Sequence, residues 1–356
     1  MAEGNIINLI TIIVPVYNTP VSSMERLFSS LKNQSKKEFD LLVMDDGSEE
    51  ECASYLDSLS KDFTSFRVEH NRHIGVSANR NAGLKLVSTP FVAFSDADDF
   101  YSPDFILQAE EYIKKYDADV IYGVMDHEPK MDIKQSGEKE EFFGNPEEIY
   151  SLRQSLLDIQ PRKIPYQVLG TPCGRVYRTG IAREVGFREE IHYFEDQIFN
   201  REYLKRVKKA LVVPEIWYVY YQNDFSAMRK EMYKGFYEKT ISYWDEFYRL
   251  NSEEPEEFRL SLRKKQLDFF YAVVNIDYID GKKAVGKQAK KEIAGIASHP
   301  MIKDAIEGIN PKDPQVSEAG FGKSDLYQLS LLKKGRFGLL IFEKKIVRFF
   351  HAGRGL

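Results

Sequence analysis

Apolar and polar positions follow two alternating periods over the first half of the chain. Residues 9–16 form a continuous, β-branched apolar run, as expected of a strand that is buried on both faces. Four more short apolar runs predict further strands, at residues 39–44, 66–69, 91–95 and 118–123. Between these runs apolar residues recur at helical spacing, as at Met24, Leu27 and Leu31. Strands that alternate with helices predict an α/β fold with a parallel sheet covered on both faces.

Polar side chains follow three of these predicted strands, at the point where each strand ends. Tyr17 and Asn18 follow the first strand, Asp45 and Asp46 end the second, and residues 96–99 follow the fourth. Ligands of such sheets bind beyond the carboxyl ends of the strands. The pattern therefore predicts a single site to which three strand ends contribute.

The second half of the chain has a different organisation. Residues 126–165 are polar and broken by Gly and Pro, with a short helix predicted near 147–158, and residues 170–180 return to the core. Glu195 and Asp196 begin another helix, and residues 210–221 supply the last strand. We therefore predict three parts, a catalytic domain over 1–225, a mainly helical extension over 226–330 and a basic amphipathic tail over 331–356.

Composition and charge narrow the class of protein. The chain has 356 residues, of which 43% are apolar, and its net charge of −5 argues against a protein that coats nucleic acid. Its two cysteines, Cys52 and Cys173, argue against a disulfide framework and a four-cysteine zinc site. We find no signal-peptide pattern and no apolar run of membrane-spanning length, so we expect a cytoplasmic protein. The aromatic helices of 226–300 leave a homodimer face and a monomer core as alternatives.

The last 26 residues differ in charge from everything before them. Residues 331–356 carry seven basic side chains against Glu343 alone, a net charge of +6, and the rest of the chain carries −11. Apolar and aromatic residues interleave with the basic ones, which is typical of a helix that lies on an anionic membrane. The alternative is a helix whose apolar side packs on the rest of the protein while its lysines are solvated.

The sequence FSDADDF places acidic residues directly after a buried strand. Asp96 and Asp98 form an Asp-x-Asp pattern, and carboxylate oxygens suit Mg²⁺ or Mn²⁺ together with substrate phosphates. By itself this pattern is also explained by a solvated acidic turn ahead of the helix that begins at Ser102. The surrounding motifs favour the metal site.

Four motifs in order identify a family resemblance. TIIVPVYN, VMDDGS, HIGVSANRNAGL and FEDQIF occur in this sequence in that order, with FSDADDF before the last of them. Over residues 8–225 the chain resembles the family 2 glycosyltransferases of the GT-A fold. The resemblance implies a Rossmann-like, mostly parallel sheet flanked by helices, to which this chain adds a mainly helical C-terminal extension.

The resemblance also implies the donor site. It assigns nucleotide-sugar binding to nine residues, Pro15, Val16, Tyr17, Asn18, Asp46, Arg80, Asp96, Ala97 and Asp98. Asp46 would accept from the uracil N3–H, since a carboxylate only accepts hydrogen bonds. Arg80 would approach the diphosphate, whose geometry and charge it matches. Asp96 would bind the ribose, and Asp98 would hold the Mn²⁺ or Mg²⁺ ion.

Asp196 matches the catalytic base of the family, and the resemblance implies an inverting transfer. A carboxylate near the acceptor hydroxyl takes its proton as the hydroxyl attacks the anomeric carbon. The alternative for Glu195 and Asp196 is a pair of acids favoured by the positive end of a helix dipole. The three upstream motifs favour the catalytic interpretation.

Four residues are candidates for contact with the acceptor or the transferred sugar, Cys173, Arg175, His192 and Glu195. Cys173 and Gly174 stand where relatives often have an aromatic residue, which leaves the identity of the sugar open. For Cys173 a small buried hydrophobe is the alternative, and for His192 a loop-packing residue.

The sequence thus predicts a metal-dependent, inverting enzyme. It would move a hexose or N-acetylhexosamine from a UDP-sugar to a glycan acceptor, lipid-linked or free, in cell-surface polysaccharide assembly. The alternatives are a catalytically degenerate glycan- or nucleotide-binding module and a sugar nucleotidyltransferase. The latter would normally carry a Gly-rich basic loop after the first strand, where this chain has VPVYNTP.

Overall fold

A computed structural model describes residues 8–128, 139–155, 170–221 and 233–352. The chain divides into two compact units, one ending at residue 224 and the other comprising residues 225 onward. The described part of the first unit holds a nine-stranded sheet, and the described part of the second unit is helical.

The first four neighbouring strands of the sheet are parallel. They lie in the order β3 (Phe66–His70), β2 (Asp40–Asp45), β1 (Ile10–Val16) and β4 (Phe91–Phe94). The intervening helices are α1 (Val21–Lys32), α2 (Glu50–Ser58) and α3 (Val76–Leu86). On β1 the side chains of Ile12 and Ile13 enter cores on opposite faces of the sheet. The prediction of a strand buried on both faces is therefore confirmed.

The other half of the sheet is mixed. Its strands are β5 (Phe100–Tyr101), β6 (Val120–Glu128), β7 (Glu141–Phe143), β8 (Arg175–Arg178) and β9 (Ala210–Tyr221). β8 lies between β4 and β6 and is antiparallel to both. β9 is parallel to β6, whereas β5 and β7 pair with β9 in the antiparallel direction. The Rossmann-like half is thus parallel as predicted, and the return of the chain through β8 reverses the strand direction.

Four helices complete the described part of the first unit, α4 (Phe105–Tyr116), α5 (Pro146–Ser155), α6 (Thr179–Val185) and α7 (Glu195–Leu204). The helix expected to begin at Ser102 begins at Phe105. Ser102 instead continues the β5 segment, and its backbone N–H donates to the carbonyl of Trp217. Phe94 packs against Phe187 and Phe199, so α7 lies against the sheet beneath the end of β4.

The second unit has its own apolar core. Its helices are α8 (Phe236–Asn251), α9 (Glu256–Val273), α10 (Gly286–Ala297), α11 (Pro300–Gly308), α12 (Pro314–Glu318), α13 (Lys323–Lys333) and α14 (Phe337–Ala352), with a π-helix at Val274–Asp280. The buried carboxylate of Asp277 accepts from the backbone N–H groups of Phe236 and Tyr237 and so satisfies the first turn of α8. Among the described residues we find no helix with the length and apolar character that a bilayer crossing requires.

Candidate active site

The ends of β1 and β2 lie side by side and are joined through Asp46. Its backbone N–H donates to the carbonyl of Val16 over 2.8 Å. Its buried carboxylate accepts from the backbone N–H groups of Ile74 (2.7 Å) and Gly75 (3.0 Å). Gly75 has a φ of 89°, a conformation that glycine adopts without strain. Asp46 therefore fixes the loop ahead of α3, and as a carboxylate it acts only as an acceptor.

Tyr17 and His73 form a stacked pair beside Asp46. Their ring centroids are 4.1 Å apart, and His73 Nδ1 lies 3.0 Å from Asp46 Oδ2. Both rings are about half exposed, so they present an open aromatic edge at the strand ends. The sequence pattern gave Tyr17 a role and gave His73 none, although His73 is the first residue of the motif HIGVSANRNAGL that contains Arg80.

The turn after β1 is held from the side of β2. Asn18 has a positive φ of 49°, its N–H donates to Ser48 Oγ, and its Oδ1 accepts from the Glu49 N–H. Pro15 is half-buried and Val16 is buried within β1. These residues therefore determine the position of Tyr17 at the end of β1.

Arg80 connects the two acidic motifs. Its guanidinium donates to Asp96 Oδ1 through Nη2 and to Glu195 Oε1 through Nη1, both over 3.0 Å. Arg80 is only 4% exposed. Although burial opposes its charge, the carboxylates of Asp96 and Glu195 raise the pKa of Arg80. The Asp-x-Asp segment after β4 and the start of α7 therefore meet at one buried cation, and Arg80 and Glu195 are 115 residues apart in sequence.

Three acidic residues after β4 have different environments. Asp96 is exposed on its outer side, and its backbone N–H donates to the hydroxyl of Tyr218. Asp99 is buried, and its carboxylate accepts from the Tyr218 hydroxyl and from the Tyr221 N–H. Burial, with the charge of Asp96, raises the pKa of Asp99 to about 8. Asp99 thus anchors the segment to β9, and Ala97 packs into the core.

Asp98 is the half-buried carboxylate of this segment. Burial and the charge of Asp96 raise its pKa, while Arg26 of α1 acts in the opposite direction. Arg26 lies over the ring of Tyr221, 3.4 Å from its centroid. Asp98 is thus a carboxylate that is only partly open to solvent and lies beside Asp96.

The donor set fits a divalent cation that substrate phosphates help to hold. Among the described residues no three His, Cys, Asp or Glu side chains are arranged as a metal cage. Mg²⁺ and Mn²⁺ do not need one, because one or two carboxylates suffice when phosphate oxygens and waters supply the other ligands. Asp98, with Asp96 beside it, offers that arrangement.

Asp196 lies in the first turn of α7, next to the Glu195–Arg80 pair. Its Oδ1 accepts from the N–H of Gln197 over 2.8 Å. Burial, followed by the charge of Glu195, raises the pKa of Asp196 to about 7, against the opposing charge of Arg80. A carboxylate with a pKa near neutrality is suited to accept a proton. Phe194 ahead of it has a φ of 65°, a conformation uncommon for a non-glycine residue.

The structure places the remaining acceptor-side candidates in different environments. Cys173 is buried in the core, and burial raises the pKa of its thiol well above the ordinary value, which favours the structural alternative. Arg175 is also buried and packs over the ring of Tyr122. Contact of these two side chains with the acceptor or the transferred sugar stays a prediction. His192 is exposed near the start of α7.

Tyr218 and Arg26 have roles that the sequence did not assign. Tyr218 lies in the last predicted strand, residues 210–221, and it is fully buried. Its hydroxyl nevertheless joins Asp96 to Asp99. Arg26 belongs to the solvated side of α1 by its spacing, so the pattern gives no signal of its proximity to Asp98.

Comparisons with known proteins agree with the family resemblance of the sequence. Residues 11–186 match the family model described as "Glycosyl transferase family 2". The chain is 23% identical over 313 residues to the "Uncharacterized glycosyltransferase EpsJ" of Bacillus subtilis, covering 84% of this chain and 86% of that protein. It is 26% identical over 216 residues to the poly(ribitol-phosphate) beta-N-acetylglucosaminyltransferase TarS of Staphylococcus aureus, covering 59% of this chain and 35% of TarS.

Solved structures show the same fold. The crystal structure of residues 1–349 of S. aureus TarS in complex with UDP-GlcNAc superposes with a TM-score of 0.67 at 18% identity, covering 95% of this chain and 91% of that one. The likeness confirms a GT-A-type sheet with a mainly helical C-terminal region.

Proposed function

This chain belongs to glycosyl transferase family 2 through its residues 11–186, and from that premise we propose that it transfers a sugar from a UDP-sugar to a glycan hydroxyl with inversion. The observation that carries the proposal is the pair of hydrogen bonds by which Arg80 joins Asp96 to Glu195. Through Arg80, Asp96 on the nucleotide side and Glu195, the neighbour of the proposed base, form one cluster. Direct displacement of UDP by the acceptor hydroxyl requires the donor and the acceptor to lie close together, and such a cluster would hold both.

The donor side of the proposal uses the edge formed by β1, β2 and the loop before α3. Tyr17 and His73 offer aromatic surface to a uracil ring, and Asp46 supplies an acceptor. Asp96 would bind the ribose. The UDP-GlcNAc complex of the TarS neighbour supports an N-acetylhexosamine donor here, with a hexose as the second candidate.

On the acceptor side we assign the base to Asp196. When the acceptor hydroxyl attacks the anomeric carbon, its proton passes to the Asp196 carboxylate while the bond to UDP breaks on the opposite face of the sugar. Holding the two substrates in line removes much of the entropic barrier. One base therefore suffices, and no covalent enzyme intermediate is formed.

A divalent cation is part of the proposal. Mn²⁺ or Mg²⁺ would be held by Asp98 with Asp96 beside it, and when bound it supplies positive charge to the departing diphosphate. The protein's own contribution there is Arg80, whose buried charge keeps Asp96 and Glu195 oriented.

The acceptor and the setting are proposed from the relatives and from the C-terminal segment. TarS acts on a poly(ribitol-phosphate) chain by its name, which supports a cell-surface polymer as acceptor. A lipid-linked acceptor is supported by the basic, apolar residues 331–356. Free, buried thiols at Cys52 and Cys173 support a reducing, cytoplasmic location.

The test is UDP release from UDP-GlcNAc and UDP-glucose by wild type and Asp196→Asn, with and without glycan acceptors. We expect wild type to release UDP and Asp196→Asn to be slower by about 10²–10⁴-fold, since a general base contributes that much. The exposed acid Asp104, changed to Asn, is the matched control and should keep the wild-type rate.

Three results would contradict the assignment. A wild-type rate in Asp196→Asn would remove Asp196 as the base. Tight UDP binding with no turnover of either donor would favour the degenerate binding module, and formation of UDP-sugar from a sugar phosphate would favour the nucleotidyltransferase.

A further inference from the structure

The last helix of the second unit, α14, packs on the core through one side. Leu340 is fully buried, and Phe337 and Ile341 pack against the same core cluster. The stem of Lys344 extends over the ring of Tyr271, with its Nζ 4.3 Å from the centroid. These contacts hold α14 against the core of the second unit.

The same helix has a second apolar side that is exposed. Leu339, Phe342 and Ile346 are 48%, 62% and 40% exposed. Their spacing of three and four residues places them within an arc of about 60°, on the side of the helix away from Leu340. A helix that met only water on this side would carry polar residues there.

Basic side chains surround this exposed apolar side. Lys334, Arg336 and Lys345 are exposed at the start and along the flank of α14. Lys290 of α10 lies against Gly338, where an added Cβ would come within 3.0 Å of its Nζ. Glu343 is the single acid of residues 331–356, and it already accepts from Gln328 Nε2 over 3.0 Å. The surface is therefore apolar at its centre and cationic at its edge.

We propose that the outer face of α14, defined as Leu339, Phe342 and Ile346 with Lys334, Arg336 and Lys345, docks on an anionic lipid bilayer. Apolar side chains would enter the boundary between headgroups and acyl chains while the basic ones stay among the headgroups. The helix has 16 residues and lies in the plane of the membrane. The inference depends on the second unit alone and holds whatever sugar the enzyme transfers.

Charge selects a lipid surface over a second copy of the chain. Two copies meeting through this face in a symmetric pair would bring their cationic edges together, which is unfavourable. An anionic bilayer offers the complementary charge and an apolar layer of the right depth. The −11 charge of the rest of the chain would also keep other surfaces away from the lipid.

The experiment is co-sedimentation of the full chain with phosphatidylcholine vesicles, with and without phosphatidylglycerol. We expect binding only when phosphatidylglycerol is present. The triple change Lys334→Gln, Arg336→Gln and Lys345→Gln should weaken partitioning on the order of a hundredfold, about fivefold for each charge. Leu339→Ser with Phe342→Ser should weaken it about tenfold or more.

Matched controls distinguish an effect of the outer face of α14 from a general effect of removing charge or apolar surface. Val285, another exposed apolar residue of the second unit, changed to Ser should leave binding unchanged. The exposed lysines 61, 85 and 312 changed to Gln remove the same charge elsewhere and should also leave it unchanged. Retained UDP binding in every variant reports an intact first unit, so failure of docking is distinguishable from failure of the proposed function.

Three results would overturn the proposal. Wild type could fail to bind anionic vesicles even at low salt. The control lysines could matter as much as those of α14. Phe342→Ser could dissociate a dimer while vesicle binding stays unchanged, in which case the face joins two copies of the chain.

Discussion

At the scale of single residues, the site depends on how Arg80 is buried between two carboxylates. Truncating one partner of such a pair costs about 3–5 kcal/mol, because it leaves an uncompensated buried charge. The guanidinium of Arg80 pairs with both Asp96 and Glu195, so the distance between these two acids is fixed before any substrate binds. In the proposed function, this preorganisation would position the donor and acceptor groups without rearrangement.

The pKa of Asp196 makes the transfer rate pH-dependent. A base acts only when deprotonated, and burial with the charge of Glu195 raises the pKa of Asp196 to about 7. We expect kcat/KM to fall as the pH drops through about 7. Glu195→Gln removes one of the charges that raise this pKa, so the acidic limb should move to lower pH in a pH–rate profile of the variant.

Glu190→Gln is the matched control for that profile. Glu190 is an exposed acid ahead of α7, and removing its charge should leave the limb in place. A limb that does not move in Glu195→Gln, or that moves equally in Glu190→Gln, would show that the titrating group is not Asp196.

At the scale of elements, β6 and β9 support the acidic segment from below. Trp217 of β9 is fully buried and covers Gly123 of β6, where an added Cβ would lie 2.5 Å from the indole. The next residue, Tyr218, carries the hydroxyl that contacts Asp96 and Asp99. The close approach of the two strands therefore determines where Tyr218 holds Asp96 and Asp99.

Gly123→Ala tests this packing. The methyl group would force the indole or the strand to move, so we expect the free energy of unfolding to fall by about 1–3 kcal/mol and UDP binding to weaken. Gly180→Ala is the control, because nothing lies within 4 Å of its added Cβ and alanine favours a helix. Denaturant unfolding of both variants measures the difference, and equal stabilities would contradict the packing account.

The elements with strong periodicity were predictable from sequence. The directions in which some of the strands pair were not. β1 to β4 and the helices between them follow from apolar runs and spacing. The reversed direction of β8 depends on its contacts with β4 and β6, which lie more than 50 residues earlier in the chain. The same limit applies in the site, where His73 and Arg26 reach their partners through loop and helix geometry that no local pattern encodes.

At the scale of the whole molecule, chemistry and charge are divided between two units. The first unit holds the strand-end acids, and the described part of the second holds the helix with the exposed basic and apolar face. Sequence arithmetic predicted the charge division, because seven basic residues fall within the last 26. It did not predict that α14 uses one apolar side for packing and keeps another exposed, since both sides have similar residues.

The most direct test of the central claim, a UDP-sugar site built around Asp98, is calorimetric titration of UDP. We predict binding to wild type in Mn²⁺ or Mg²⁺, and a loss of affinity of about tenfold or more with chelator and in Asp98→Ala, because a cation held by Asp98 would supply positive charge to the diphosphate. UDP binding that is unaffected by chelator and by Asp98→Ala would contradict the metal assignment. No UDP binding under any metal condition would contradict the donor site itself.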